Sequence, residues 1–321
     1  MTVSVADPAV QEQILDLTYP LWGEGLTRQA YGTWNRGQMS TPWGRTHLER
    51  VALLDAGQVL SSAKRYQFDA LVSGQRERVV GVGAVFTPPG IRGQGHARVL
   101  IEEMLSQAAR EGAGWALLFS EIGDAYYEKL GFASLPRTML TLMVKVKERA
   151  GAPATFVRAG ETADLPFIAE LSAVYAGGAG VALDRTADLI GFGIARRRML
   201  AGLGPAGLRH LEFFVAEEGG RPAAYVVISR GPSGVVLEEC ADRDPTGARV
   251  GAILQVLHAR EPSIQQQPIR AWLPAGFRPP QVLIVDESPA AEIMMMRRLG
   301  APASATAAPP PPVTYWQTDV F

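Results

Sequence analysis

The sequence has few of the residues that would suit an oxidising compartment, a metal site or an anionic partner. Only one of its 321 residues is cysteine, Cys240, so no internal disulfide can form, and a reducing cytoplasm is expected. Its 31 basic and 32 acidic residues nearly cancel. No excess of positive charge is available to bind nucleic acid or anionic lipid. The histidines are widely spaced, which predicts no metal site: His47, His96, His210 and His258.

Long hydrophobic runs are also missing. The longest uncharged apolar run, Val79 to Ile91, is interrupted by Pro88 and Pro89 and is too short to span a bilayer. Met1 to Gln13 has neither the basic start nor the apolar stretch of a signal peptide. We therefore expect a protein of the cytoplasm without a membrane partner. Hydrophobic residues make up 47% of the chain, enough to bury a sizeable core.

The first half alternates between helical and strand patterns. A short helix is predicted from Pro8 to Leu17, and a three-stranded antiparallel meander, with glycines at its turns, from Leu48 to Thr87. An amphipathic helix follows from about Gly95 to Glu111, then a strand from Trp115 to Ser120. A short helix ends at Gly131.

The second half repeats this order of elements. Helices, three strands, a helix and a strand recur between Asp164 and Leu273, which indicates an internal duplication with a period of about 150 residues. Residues 301–312 are rich in alanine and proline, a composition that favours a linker. Beyond them, Trp316 and Phe321 suggest a tail that docks on the protein, although a solvent-exposed tail remains an alternative.

One glycine-rich loop has the features of a phosphate-binding site. Arg92-Gly93-Gln94-Gly95-His96-Ala97 lies between a predicted strand and a predicted amphipathic helix. Such a loop directs backbone N–H groups and the positive end of the helix at one point, which suits a pyrophosphate. An ordinary strand-to-helix turn is the alternative. About 30 residues further on, the chain reads Tyr126-Tyr127-Glu128-Lys129-Leu130-Gly131-Phe132.

This pair of motifs, in this order of elements, resembles the GNAT superfamily of acyl-CoA N-acyltransferases. The resemblance covers roughly Leu48 to Leu135. Val85 to Pro89, the glycine loop and Leu118 to Gly123 further resemble fungal lysine N-acetyltransferases. The fold class implied is α/β (α+β), with two GNAT-like domains, each a mixed, largely antiparallel twisted sheet flanked by helices. We assign residues 1–150 to the acetyl-CoA-binding domain, 151–300 to a degenerate copy and 301–321 to the linker and tail.

The resemblance implies roles for individual residues. The strands on either side of the helix would splay apart, and the backbone of Val85, Phe86 and Thr87 would hold the pantetheine arm. The loop residues Arg92 to Ala97 would bind the pyrophosphate of acetyl-CoA. Tyr127 matches the family's usual general acid, with a packing role as the alternative. Ile122 stands where many members carry asparagine, which puts one pantetheine contact in doubt.

The base and the acceptor pocket are less clearly indicated. Glu121 is the first candidate for deprotonating the acceptor amine, with a solvated strand-end carboxylate as the alternative. Two-copy GNAT enzymes that acetylate aminoglycosides use a C-terminal carboxylate, which brings in Phe321 or Asp319. Trp22, Glu24 and Trp34, together with Trp43, lie in the segment that lines acceptor pockets and would suit a cationic amine. In the second half, Asp242 to Gly247 places acids where phosphates would bind, so no CoA site is expected there.

These features predict an acetyl-CoA-dependent N-acetyltransferase that acts on a primary amine of a small molecule, such as a lysine-like amino acid. A peptide or protein N-acetyltransferase and a non-catalytic acyl-CoA sensor are the alternatives. The sequence gives no indication of the oligomeric state.

Overall fold

The fold consists of two mostly antiparallel sheets flanked by helices, as seen in a computed structural model that describes residues 1–145, 156–177, 179–260, 267–274, 276–300 and 313–321. The predicted linker and the boundary at residue 150 lie outside these ranges, so the domain division stays a prediction. Up to residue 144 the elements are β1 (Thr2–Val5), α1 (Pro8–Trp22), α2 (Arg28–Ser40), α3 (Gly44–His47), β2 (Leu48–Asp55), β3 (Gln58–Val72), β4 (Gln75–Phe86), α4 (His96–Arg110), β5 (Trp115–Ser120), α5 (Ala125–Glu128), β6 (Ala133–Leu135) and β7 (Thr138–Val144). From residue 156 they are β8 (Phe156–Ala159), α6 (Leu165–Ala176), β9 (Val181–Leu183), α7 (Ala187–Leu203), β10 (His210–Glu218), β11 (Arg221–Gly231), β12 (Gly234–Asp242), α8 (Ala248–Arg260), β13 (Ile269–Ala271), β14 (Val282–Pro289), β15 (Ile293–Arg298) and β16 (Val313–Thr314).

The first sheet is built on the predicted meander. Strands β2, β3 and β4 pair antiparallel through turns at Gly57 and Gly74, which both have positive φ angles. Strand β5 then adds parallel to β4 after the crossover through α4. That helix buries one face at helical spacing against the sheet, through Leu100, Ile101, Met104, Leu105 and Ala108.

Strands are exchanged between the sheets, and β9 and β16 of the second half also join the first sheet by way of β3. Strand β7 follows the first sheet in sequence but lies between β13 and β14 of the second sheet. Strand β15 comes from the second half but lies between β5 and β6 of the first sheet. The three methionines of β15, Met294 to Met296, are at most 3% exposed, so this run forms an internal strand. The exchange joins the two halves through backbone hydrogen bonds as well as side-chain packing.

The region from Tyr19 to Trp43 is more helical than the sequence pattern indicated. Helix α1 extends to Trp22, with its N-terminus capped by Asp7, and α2 is capped by Thr27. The glycines in this segment had obscured the periodicity. No helix of the described residues is long and apolar enough to cross a membrane, and they contain no group of histidine, cysteine or acidic side chains arranged to hold a metal ion.

The C-terminal tail packs into the protein. Tyr315 and Trp316 are each 1% exposed, and the Trp316 ring lies edge-on to Trp272 with 5.1 Å between the ring centroids. Trp316 belongs to the hydrophobic core of the second sheet. The tail is therefore part of the folded structure.

We expect Trp316→Ala to lower the free energy of unfolding by about 3–5 kcal/mol, because truncating a fully buried aromatic leaves a cavity. Urea unfolding followed by circular dichroism measures the change. Phe156→Ala is the matched control, since Phe156 is 62% exposed, and it should change stability by less than about 0.5 kcal/mol. Equal losses for the two variants would contradict the packing described for the tail.

Candidate active site

The site lies where β4 and β5 separate. Their parallel pairing runs from Val79–Trp115 to Val82–Leu118 and stops there, although both strands continue. A bulge on β4 opposite Ser62 and Lys64 turns the strand at this point, and Ala84 has a φ of 48°. Beyond Val82, β4 consequently presents a backbone edge that β5 does not cover.

A wide loop leads from this edge to helix α4. Gly93 and Gly95 have φ angles of 82° and 84°, and a Cβ atom added at either would meet nothing within 4 Å. Gly95 caps α4 without a side-chain hydrogen bond, so the first-turn N–H groups remain directed at the loop. Arg92 is exposed, and its Nε donates to the carbonyl of Thr87 at 3.1 Å. The loop can therefore admit an anionic group at the helix N-terminus.

A cleft of about 480 Å³ opens beside the separated strands. It brings together most of the predicted catalytic and acceptor residues from distant parts of the chain: Trp22, Glu24, Trp34, Val85, Glu121, Tyr127 and Phe321. Asp319 is not among its lining residues. Trp43 is also absent from the lining, because it packs in the core against Tyr66, Phe68 and Phe192.

Tyr127 is the titratable phenol on the α5 side of the cleft. It is 8% exposed and packs edge-on against Phe132, with 6.1 Å between ring centroids. Burial, with a smaller contribution from Tyr126, raises the pKa of Tyr127 to about 12. The hydroxyl is therefore protonated throughout the neutral range and can act as a donor.

Glu121 lies at the cleft rim, directly after β5. Its side chain is exposed, and none of the residues described by the structure forms a hydrogen bond or ion pair with it. The neighbouring Ile122 is 74% exposed. A carboxylate in this position is accessible to water and to a bound amine.

Phe321 forms part of the cleft floor, where its ring packs against Gly81 and Gly83 of β4. A Cβ atom added to Gly81 would lie 2.6 Å from the Phe321 ring, and one added to Gly83 would lie 3.0 Å from it. The ring packs against Tyr66, with 4.4 Å between centroids, and lies edge-on to Phe119. Only glycine at these positions on β4 leaves room for the end of the tail.

Asp319 has a different position from the one expected of a substrate-binding residue. It is 6% exposed, its Oδ1 accepts from Arg185 Nε at 3.0 Å, and its Oδ2 accepts from the backbone N–H of Trp316. Arg185 also makes a bidentate contact to Glu239, with both distances 2.7 Å. Asp319 thus anchors the tail through these contacts and does not line the cleft.

The acceptor wall combines tryptophans with ionic groups. Trp34 Nε1 donates to the carbonyl of Arg196 at 3.0 Å. Glu24 is exposed and pairs with Arg209 at 2.9 Å. It lies at the rim and is already neutralised by Arg209.

Sequence reasoning missed the cations of the cleft. Arg50, Lys64, Arg196 and Arg197 all line it, together with Tyr66. Strand alternation could have indicated that Arg50 and Lys64 share the face of Tyr66. The contributions of helix α7 were not foreseeable, because the contact between α7 and α2 joins residues far apart in sequence.

The corresponding helix of the second half has no free N-terminus. Asp242 Oδ2 accepts from the backbone N–H of Arg249 at 2.7 Å and of Val250 at 3.3 Å. Its Oδ1 accepts from the Arg249 guanidinium at 3.0 Å. A carboxylate of the chain therefore occupies the place where a phosphate would bind.

The comparisons with known proteins agree with this geometry. Residues 26–135 match the family model of the GNAT acetyltransferase domain. A GCN5-related N-acetyltransferase from Kribbella flavida superposes with a TM-score of 0.67 at 17% identity, covering 94% of this chain and 72% of that one. A probable N-acyltransferase from Enterococcus faecalis V583 gives 0.66 at 15%, covering 93% and 72%.

N-myristoyltransferase of Saccharomyces cerevisiae, solved with bound myristoyl-CoA, gives a TM-score of 0.54 at 12% identity and covers 94% of this chain and 83% of its own. No curated protein matches the sequence. These structural similarities show the fold, and the region matched by the family model contains the glycine loop, Glu121 and Tyr127. Over residues 26–135, about a third of its length, the chain is accordingly similar to the GNAT acetyltransferase domain.

Proposed function

We propose that the protein is an acetyl-CoA-dependent N-acetyltransferase whose acceptor is a primary amine on a small molecule, such as a lysine-like amino acid. The GNAT domain supports acyl-CoA-dependent N-acyltransferase activity in general. The observation that carries the finer proposal is that Tyr127 and the uncovered edge of β4 face the same cleft. A proton donor and a row of backbone hydrogen-bonding groups are the two requirements for transferring an acyl group from a thioester.

The residues fit a bound acyl-CoA. The loop Arg92–Ala97, comprising Arg92, Gly93, Gln94, Gly95, His96 and Ala97, would hold the pyrophosphate at the helix N-terminus. The uncovered backbone of Val85, Phe86 and Thr87 would pair with the amides of the pantetheine arm, as an added strand would. An N–H in this segment would donate to the thioester oxygen and stabilise the negative charge that develops on it. The bound cosubstrate supplies an activated acetyl group.

Tyr127 assists departure of the sulfur. A free thiol has a pKa of about 8.5, well below that of Tyr127. Complete proton transfer from the phenol to the departing thiolate would therefore be uphill by several kcal/mol. Tyr127 therefore acts mainly by donating a hydrogen bond to the sulfur as negative charge builds up on it. This stabilisation is specific to the transition state and should appear in kcat.

An alkylammonium has a pKa of about 10.4 and is therefore protonated at neutral pH, so the acceptor amine must lose a proton before attack. Two carboxylates of the cleft can accept it, Glu121 at the rim and the terminal carboxylate of Phe321 at the floor. The ring of Phe321 is held by Gly81, Gly83 and Tyr66. The fixed position of the tail favours Phe321 over the exposed Glu121.

A peptide acceptor is the second candidate, favoured by one feature. A second groove, lined by Arg209, His210 and Arg230 among others, shares Glu24, Arg197 and Leu200 with the cleft. A chain longer than an amino acid could continue along it. A screen of amino acids, polyamines and peptides that measures free CoA release separates the two acceptors. CoA binding without turnover on any of them would indicate a sensor instead.

We expect Gly95→Val to weaken acetyl-CoA binding at least about tenfold, because a side chain at φ 84° strains the backbone and obstructs the helix N-terminus. Isothermal titration calorimetry measures the affinity. Gly74→Val is the matched control, since Gly74 has a φ of 78° in a distant hairpin and equally open surroundings. Unchanged affinity in Gly95→Val would rule out the loop as the pyrophosphate site.

Tyr127→Phe should lower kcat by about 10²–10³-fold and leave acetyl-CoA affinity nearly unchanged, because it removes a hydrogen-bond donor that acts on the charge of the transition state. Since the pKa of Tyr127 is about 12, the pH–rate profile between pH 7 and 10 should keep its shape in the variant. Tyr126→Phe is the control and should retain wild-type kcat. A Tyr127→Phe enzyme with normal kcat would remove this residue from the mechanism.

Replacing the terminal carboxylate of Phe321 by a carboxamide, through protein ligation, should reduce kcat and raise the pH at which the enzyme becomes active. The change removes the base and preserves the packing of the tail. It is more informative than deleting the tail, which would also remove the buried Tyr315 and Trp316. Glu121→Gln is the comparison variant, and a rate loss only in that protein would transfer the base role to Glu121.

A further inference from the structure

The inner part of the cleft contains cations without acidic partners. Arg50 is 3% exposed, and its Nη2 donates to the amide oxygen of Asn35 at 2.7 Å. Lys64 Nζ donates to the amide oxygen of Gln38 at 3.0 Å. Arg196 donates to the carbonyl of Val320. Among the described residues none of these three cations has an ion pair, which is costly for buried charges.

The pairing of β2 with β3 makes this arrangement more unusual. On the face away from the cleft, Glu49 lies directly opposite Arg65, and the two form an ion pair at 2.7 Å. One residue along, on the cleft face, Arg50 lies directly opposite Lys64. Like charges at directly opposite positions destabilise a sheet. The same two strands thus give Arg65 an acidic partner outside the cleft and leave Arg50 and Lys64 inside it with neutral partners only.

The pKa shifts of these cations are consistent with buried charges that lack acidic partners. Burial, followed by the charges of Arg50 and Arg196, holds the pKa of Lys64 well below its ordinary value. Burial also lowers the pKa of Arg50 and of Arg196. These groups repel one another in a site from which water is partly excluded, and a bound anion would relieve that repulsion.

The acids of the cleft do not compensate for this charge. Glu24 is engaged with Arg209 at the rim, and Glu121 is exposed. The fourth cation, Arg197, is neutralised by Glu238 at 2.9 Å. The terminal carboxylate of Phe321 is a further acid of the cleft and forms no ion pair with a cation of the described residues. One carboxylate against Arg50, Lys64 and Arg196 leaves the interior net positive.

We propose that Arg50, Lys64 and Arg196 form a subsite for a carboxylate of the acceptor, so that the enzyme selects amines that also carry a carboxylate. This inference rests on the proposed acetyl transfer and narrows its acceptor class. A guanidinium offers a planar pair of donors that matches a carboxylate, and two guanidinium groups with one ammonium converge here.

The position of the subsite fits such an acceptor. Lys64 is directly opposite Gly83 on β4, and Arg50 is one strand further from it. With neighbouring strands about 4.8 Å apart, the backbones of Lys64 and Arg50 lie about 5 and 10 Å from the strand that would carry the acyl group. An amino acid with an amine at the end of its side chain can place its carboxylate at the cations and its amine at the thioester.

The test compares lysine, ornithine and 6-aminohexanoate with their carboxamides, which have the same length but no carboxylate charge. Calorimetry on protein saturated with CoA measures binding without turnover, and initial rates give kcat/KM. We expect at least one carboxylate form to bind at least about tenfold more tightly than its carboxamide. Equal or weaker binding of the carboxylates throughout the panel would overturn the proposal. A phosphonate analogue preferred by the same margin would overturn the choice of carboxylate.

Lys64→Met removes the charge and keeps an apolar side chain of similar length. It should reduce the preference for the carboxylate about tenfold or more, mainly through KM, with a smaller effect on the carboxamides. Its melting temperature should not fall, because repulsion with Arg50 is relieved, whereas a purely structural role for Lys64 would lower it. Arg50→Gln is the second variant and should act in the same direction.

Arg65→Met is the matched control on the opposite face of the same strand. It should lower the melting temperature by breaking the ion pair with Glu49 and leave the carboxylate preference intact. A preference preserved in both Lys64→Met and Arg50→Gln would refute the subsite. If calorimetry shows the preference but no amine is acetylated, the carboxylate subsite stands and the proposed acetyl transfer fails.

Discussion

The site depends on a buried guanidinium that lies outside it. Arg185 holds Glu239 and Asp319 and also donates to Thr318 at 3.1 Å. Burial alone would raise the pKa of Glu239, but the charge of Arg185 and hydrogen bonds from Arg185, Thr318 and Tyr225 outweigh it and lower that pKa. Thr318 and Asp319 belong to the tail, so this cluster fixes the tail against the second half of the chain. Phe321, two residues further on, is thereby positioned at the floor of a cleft built by the first half.

The second half thus contributes to the site although its own helix N-terminus is blocked. Helix α7 supplies Arg196 and Arg197 to the cleft, and Arg197 also donates to the carbonyls of Gln317 and Thr318. The exchanged strands β7 and β15 join the two sheets, so these contributions keep a fixed geometry. Both halves therefore build the cleft: the first supplies Tyr127 and the tryptophans, and the second supplies residues of helix α7 and the tail.

Local patterns were sufficient to predict the elements that are stabilised locally. The meander, helix α4 and strand β5 were correctly predicted because their alternation, helical spacing and turn glycines all indicate the same structure. Strand β7 was missed, as was the pairing of Met294 to Met296 as β15, because an exchanged strand is specified by partners more than a hundred residues away. The same limit applies to the site. Tyr127 and the glycine loop could be found from motifs, whereas the cationic interior depends on which strand positions and helix α7 meet in the fold.

The two helix N-termini illustrate how few residues separate an open helix N-terminus from a blocked one. In the first half Gly95 offers no side chain to α4, and the first-turn N–H groups remain available. In the second half one carboxylate, Asp242, accepts from two first-turn N–H groups and from Arg249, so the charge that a phosphate would supply is already present. An internal anion is always present at its site, whereas a ligand must compete with water and pay an entropic cost of binding. If the two halves arose by duplication, as the order of elements predicts, a single acidic residue would be enough to block the anion site of one copy.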